Sequence, residues 1–108
     1  MKKIFIALIL FFLNGCNQSL EMSSENIEEK YNIYISKLSN EQIQENLNKG
    51  LKPIAIKDNI DVQGFANTAG SIALKNNFPD NNAFLIQKLV DNGYFVIGKT
   101  NLSEWANF

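Results

Sequence analysis

Hydrophobic positions along the chain change their spacing several times, and each change predicts an element. Ile4 to Leu13 is an unbroken apolar run of ten residues, preceded by Lys2-Lys3. From Asn17 to Asn26 the residues are mostly polar and without period, which predicts a flexible tether. Ile27, Tyr31, Tyr34, Ile35 and Leu38 then recur at helical spacing, with Glu28, Glu29, Asn32 and Lys37 opposite them. That pattern predicts one amphipathic helix over 27–38. Glu41 to Asn48 predicts a second, weaker helix, in which Ile43 and Leu47 lie four apart and Gly50 marks the stop.

Beyond Gly50 the period shortens. Pro53 fits the first residue of a strand, where a missing N–H costs least. Ile54-Ala55-Ile56 is apolar on both faces and predicts a short internal strand. Val62 to Ser71 carries two glycines and several small polar residues, a loop that could lie close to a ligand. Pro79-Asp80 predicts a helix start with Asp80 as N-cap. Phe84, Leu85, Leu89 and Val90 would line its buried side, and Asn92-Gly93 would close it. Tyr94 to Ile97 predicts a second buried strand, ending in Gly98-Lys99-Thr100-Asn101. Leu102 to Ala106 would start another helix, capped by Asn101 or Thr100. The connection between the two strands is long enough for a right-handed parallel crossover. Two strands do not make a stable sheet, so the pattern predicts the beginning of a larger α/β domain.

Composition narrows the chemistry. A chain of 108 residues has room for one small domain at most. Ten basic and 11 acidic residues suggest no nucleic-acid surface. The absence of histidine removes Ser-His-Asp and Cys-His catalysis and most zinc sites. Cys16 is the only cysteine, so no intrachain disulfide can form. No metal-ligand cluster is evident, and Gly98-Lys99-Thr100 lacks the glycine-rich approach of a phosphate loop. The sequence therefore predicts no cofactor and no metal.

The leader has a basic start, an apolar centre and the ending Leu13-Asn14-Gly15-Cys16. A helix of that centre would span about 15 Å, half of a hydrocarbon core, which disfavours a transmembrane anchor. Basic, apolar and small-residue regions in this order describe a secretory signal. The ending resembles the lipobox of bacterial lipoproteins. That resemblance implies cleavage before Cys16 and acylation of its thiol and new amino group. The expected organisation is a signal peptide at 1–15, a tether at 16–26 and a folded part at 27–108. The expected location is the cell envelope, held to a membrane through lipidated Cys16.

The candidate chemistry sits where the first strand ends, at Lys57-Asp58-Asn59. A strand that delivers a lysine from its carboxyl end is how an open α/β sheet presents a reactive group to a crevice. Such a lysine acts as a base only when burial and a neighbouring cation or dipole lower its pKa from about 10.4 towards 7. A solvated surface lysine just past a strand is the structural alternative.

Four stretches together decide between these readings. Pro53 to Gly64, Thr68-Ala69-Gly70-Ser71 with Pro79-Asp80, and Gly98 to Ala106 resemble, in order and spacing, the N-terminal part of the amidase-signature family. The resemblance runs from about Gly50 to Phe108. It implies the N-terminal portion of an α/β fold with a mixed sheet flanked by helices, incomplete in this chain. It also implies hydrolysis of a carboxylic amide by a Ser–cis-Ser–Lys triad. Lys57 aligns with the catalytic lysine, which takes a proton through the bridging cis-serine and so activates the nucleophilic serine. Asp58 and Asn59 would be supports that orient the lysine and nearby backbone. Ser71 aligns with a structural serine, not the nucleophile.

The family's Gly-Gly-Ser-Ser-Gly-Gly-Ser segment, which carries both catalytic serines and the oxyanion-hole amides, is absent from the 108 residues. Lys57 alone lacks a nucleophile and an oxyanion donor set, so the chain by itself is expected to be inactive. Three alternatives stay open at this stage. The chain is a truncated fragment of an exported amidase acting on a small-molecule or peptide amide. It is a non-catalytic, lipid-anchored scaffold or binding lipoprotein derived from an amidase. Or it is half of a split enzyme whose partner is a C-terminal amidase fragment. The leader disfavours a cytoplasmic role such as transamidation of charged tRNA.

Overall fold

A computed structural model describes residues 27–107. The expected signal peptide, Cys16 and the tether to residue 26 lie outside the described residues. The chain divides into two compact units between Asn32 and Ile33.

The described part of the first unit is a short helix at 27–30 followed by a turn. Tyr31 N–H donates to the Ile27 carbonyl at 3.1 Å, and Asn32 N–H donates to the Glu29 carbonyl at 3.2 Å. Asn32 then adopts φ 47°, a left-handed conformation that asparagine tolerates and that ends the helix.

The predicted helix over 27–38 is therefore corrected in its second half. Tyr34–Lys37 is a strand, β1, whose residues alternate between half-buried and exposed. Over four residues the two periods are hard to separate, and pairing with a distant strand decides between them. Among the described residues the sheet contains three strands in the order β1-β3-β2. Strand β2 is Lys52–Lys57 and strand β3 is Tyr94–Thr100. Strand β1 runs antiparallel to β3, and β2 runs parallel to it. Gly98 makes the first pairing possible, because a Cβ there would come within 2.6 Å of the Ser36 carbonyl oxygen.

Helix α1, Asn40–Asn48, begins at a capping box. Gln42 N–H donates to Ser39 Oγ at 3.3 Å, and Ser39 N–H donates to Gln42 Oε1 at 3.0 Å. Its end is a Schellman motif: Gly50, at φ 78°, donates to the Leu47 carbonyl, and Leu51 donates to that of Asn46.

Strand β2 starts earlier than predicted. Lys52 N–H donates to the Gly93 carbonyl at 2.9 Å, so alternation turns the position of Pro53's missing N–H away from β3. Among the described strands β2 is an edge, not internal, and Ala55 is exposed while Ile56 is buried. The fully flanked strand is β3, which buries Phe95, Val96, Gly98 and Lys99.

The helix between the two parallel strands is α2, Phe84–Asp91. Asp80 does not cap it. Residues 82 and 83 are bound to the preceding loop, which places Ala83 at the N-cap position, where its methyl side chain offers no acceptor. Ala83 N–H donates to the Asp61 carbonyl at 2.9 Å, and Asn82 Oδ1 accepts from Gln63 N–H at 2.8 Å. The buried side also differs: Ile86 is the buried residue, with Leu89 packed on the core, while Phe84, Leu85 and Val90 are exposed. Ile56, Val62, Ile86 and Val96 form the core between sheet and helix. Gly93, at φ 83°, closes α2 as expected.

The predicted helix at 102–106 is only a single 3-10 turn, Glu104–Ala106, with no side-chain cap. Trp105 at φ 57° and Ala106 at φ 54° are incompatible with continuation as a right-handed helix. The fold class is nevertheless the expected one, an α/β arrangement with a small mixed sheet.

Candidate active site

Parallel strands β2 and β3 end side by side, and the motif residues gather at their carboxyl ends. Lys57 is the last residue of β2, in register with Thr100, and its side chain is exposed. Its carbonyl accepts from Ile60 N–H at 3.0 Å, and Asp58 N–H donates to the Thr100 carbonyl at 3.1 Å. The main chain is thus tied down immediately after Lys57.

Asp58 points the other way and is fully buried. Its Oδ2 accepts from Thr68 N–H at 3.1 Å, from the Thr68 hydroxyl and from Gly70 N–H at 3.5 Å. Asp58 Oδ1 lies 3.5 Å from Lys99 Nζ, and both side chains are inaccessible to solvent. No hydrogen-bond donor among the described residues reaches Oδ1, so this contact is electrostatic. Lys99 Nζ donates instead to the carbonyls of Ile60 at 2.8 Å, Ala66 at 3.3 Å and Asp58 at 3.4 Å. Burial lowers the Lys99 pKa from 10.5, against the opposing pull of Asp58 and Asp61.

Ser71 is buried, and its hydroxyl donates to Glu104 Oε1 at 2.6 Å. It also accepts weakly from Ala73 N–H at 3.4 Å. Trp105 N–H donates to the Ala69 carbonyl at 2.8 Å, so the loop at 67–71 and the turn at 103–106 form one unit. Gly70, at φ 70°, is required here: a Cβ would meet the Leu102 carbonyl oxygen at 2.8 Å.

The structure therefore unites Asp58 with the Thr68–Ser71 loop and keeps Lys57 outside that network. Asn59 is exposed in the turn after Lys57, and Cys16 lies outside the described residues. Sequence reasoning missed Lys99, Thr68 and Glu104. One signal was present, because Ile56-Lys57-Asp58-Asn59 and Gly98-Lys99-Thr100-Asn101 repeat a lysine at the ends of two parallel strands. A shallow depression of about 540 Å³ along α1, lined by Asn40, Glu41, Gln44, Glu45 and Asn48, includes none of these residues.

Comparison with known proteins identifies the family. The profile of the Amidase family matches residues 17–108. Mandelamide hydrolase of Pseudomonas putida is 57% identical over 54 residues, covering 50% of this chain and 11% of that protein. A glutamyl-tRNA(Gln) amidotransferase subunit of Methanosarcina acetivorans is 54% identical over 54 residues, again 50% of this chain and 11% of that protein. The crystal structure of the peptide amidase of Stenotrophomonas maltophilia superimposes with a TM-score of 0.56 at 37% identity, over 69% of this chain and 18% of that one. The chain spans only a small part of the length of the proteins it matches. With the family profile extending over most of its residues, the chain belongs to the amidase family.

Proposed function

We propose that this chain supplies the lysine limb of an enzyme that hydrolyses a carboxylic amide by a Ser–cis-Ser–Lys mechanism. Lys57, as a neutral amine, takes a proton from the bridging serine, which takes one from the nucleophilic serine. The nucleophile attacks the amide carbonyl, the amine leaves with a proton, and water then hydrolyses the acyl-enzyme. Both serines come from polypeptide other than these 108 residues, and the chain alone is inactive. The substrate is a small-molecule or peptide amide, in keeping with the named activities of two relatives. Dependence on further polypeptide also fits the third relative, which is named as one subunit of an enzyme.

One observation carries this reading. Lys57 ends a sheet strand with its side chain exposed, while Asp58, the next residue, is locked into a buried network. A base needs a fixed root and an open approach, and this geometry gives both.

The test is a chimera in which residues 27–107 replace the matching segment of a related peptide amidase. Hydrolysis of a peptide amide is expected, with loss of about 1,000-fold or more in kcat for Lys57→Ala. A Lys57→Ala chimera as active as its parent would overturn the assignment. We further propose that the chain is exported and lipid-anchored at Cys16. Incorporation of radiolabelled palmitate that persists in Cys16→Ser would rule that out.

A further inference from the structure

Lys99 occupies the middle strand of the sheet with no solvent access at all. An unbranched apolar side chain could fill a comparable volume there without the cost of desolvating an ammonium. What an apolar side chain cannot do is hold carbonyl oxygens. Lys99 Nζ holds three, from Asp58, Ile60 and Ala66, and all three belong to the loop that starts immediately after Lys57. The same ammonium faces the Asp58 carboxylate, whose other oxygen holds the far end of that loop at Thr68 and Gly70. One cation and one anion thus fasten both ends of a segment whose first residue is peptide-bonded to Lys57.

We propose that Lys99 is a positioning residue for Lys57, acting through the main chain by holding the loop from Asp58 to Gly70 against the end of β3. The proposal rests on the reading of Lys57 as the base. Lys99 touches neither substrate nor Lys57 in this role. It fixes the peptide after Asp58, one residue beyond Lys57, and so restrains the direction in which the Lys57 side chain leaves the sheet. A base displaced by a fraction of its working distance loses most of its effect, while substrate binding elsewhere is unaffected.

Two variants separate positioning from stability. Lys99→Met leaves the Asp58 carboxylate buried without its counter-charge, which could unfold the chain. Lys99→Met combined with Asp58→Asn removes both charges and tests the carbonyl clamp with the core neutral. Hydrogen exchange on the full chain is read first. In the double variant, amides of residues 58–70 are expected to exchange about tenfold faster or more, while Lys52 and Leu38 N–H keep their protection. Uniform loss across both groups, or no change in the loop, overturns the proposal.

Kinetics of the chimera described above follow. The double variant should lose about 100-fold in kcat with KM changed less than about threefold. A loosened loop with kcat unaltered also overturns the positioning role. If the parent chimera is inactive, or indifferent to Lys57→Ala, the reading of Lys57 as base fails and the positioning role goes with it. Hydrogen exchange would still show whether Lys99 holds the loop.

Discussion

Ser71 and Glu104, 33 residues apart in sequence, share a hydrogen bond of 2.6 Å in which the serine hydroxyl donates to a carboxylate oxygen. That bond joins the loop after β2 to the turn after β3. It gives Ser71 a structural task, with its hydroxyl proton engaged by Glu104. Replacing Ser71 by Ala is expected to cost about 1–2 kcal/mol, because the lost bond is to a charged group that is itself exposed. Urea denaturation checks this: the midpoint falls and the slope stays unchanged. An unchanged midpoint would show that the loop and the turn are not coupled energetically.

Asp58 and Thr68 are expected to differ sharply in cost. Asp58→Ala removes the anion facing a fully buried Lys99, and breaking a buried pair from one side costs about 3–5 kcal/mol. Thr68→Val removes one hydroxyl donor while two main-chain N–H groups still reach the carboxylate, and costs about 1–2 kcal/mol. Calorimetry of both variants orders them; equal losses would mean that the ion pair contributes nothing beyond its hydrogen bonds.

Burial holds the Lys99 pKa below its unfolded value of 10.5. Between the folded and unfolded values the unfolded chain binds more protons, so this group makes stability rise with pH. Its penalty is fully present below the folded pKa and is relieved as pH climbs towards 10.5. The expected result is a steeper rise, approaching pH 10.5 from below, in the wild type than in Lys99→Met combined with Asp58→Asn. Identical pH slopes in chemical denaturation would mean that Lys99 titrates alike in both states.

Gly98 allows β1 to close on β3. An added methyl would press within 2.6 Å of the Ser36 carbonyl oxygen and 2.9 Å of the Tyr34 ring. Gly98→Ala is expected to cost about 1–3 kcal/mol and to loosen β1 selectively. Amide exchange should rise at Leu38 and Asn101, which bond across that seam, and hold at Lys52 and Asp58 on the other side of β3. Equal change on both sides would show a general loss of packing.

The exposed face of α2 shows where sequence reasoning stopped short. Phe84 and Leu85 have the spacing of a buried stripe, yet they are 80% and 62% exposed while Ile86 is the residue turned inward. Periodicity says which residues share a face; it does not say which of two apolar faces meets the sheet. The start of α2 shifted for a related reason, because Asn82 and Ala83 are held by the loop at 61–63 and leave no cap at Asp80.

By itself the sequence determined the parallel strand-helix-strand unit, the helix α1, the glycine stops and the placing of Lys57 at a strand end. Those features depend on neighbours within a few residues, on apolar period, caps and turn chemistry. It also carried the order of motifs that marks the family. Only the tertiary structure decided that Tyr34–Lys37 is a strand, since four residues carry too little period and the pairing with Gly98 and Thr100 is non-local. Only the tertiary structure turned Lys99 inward onto carbonyls 33 to 41 residues away in the chain. A buried ammonium is tolerable where several oxygens converge, and that convergence exists only once both strands and the loop are in place.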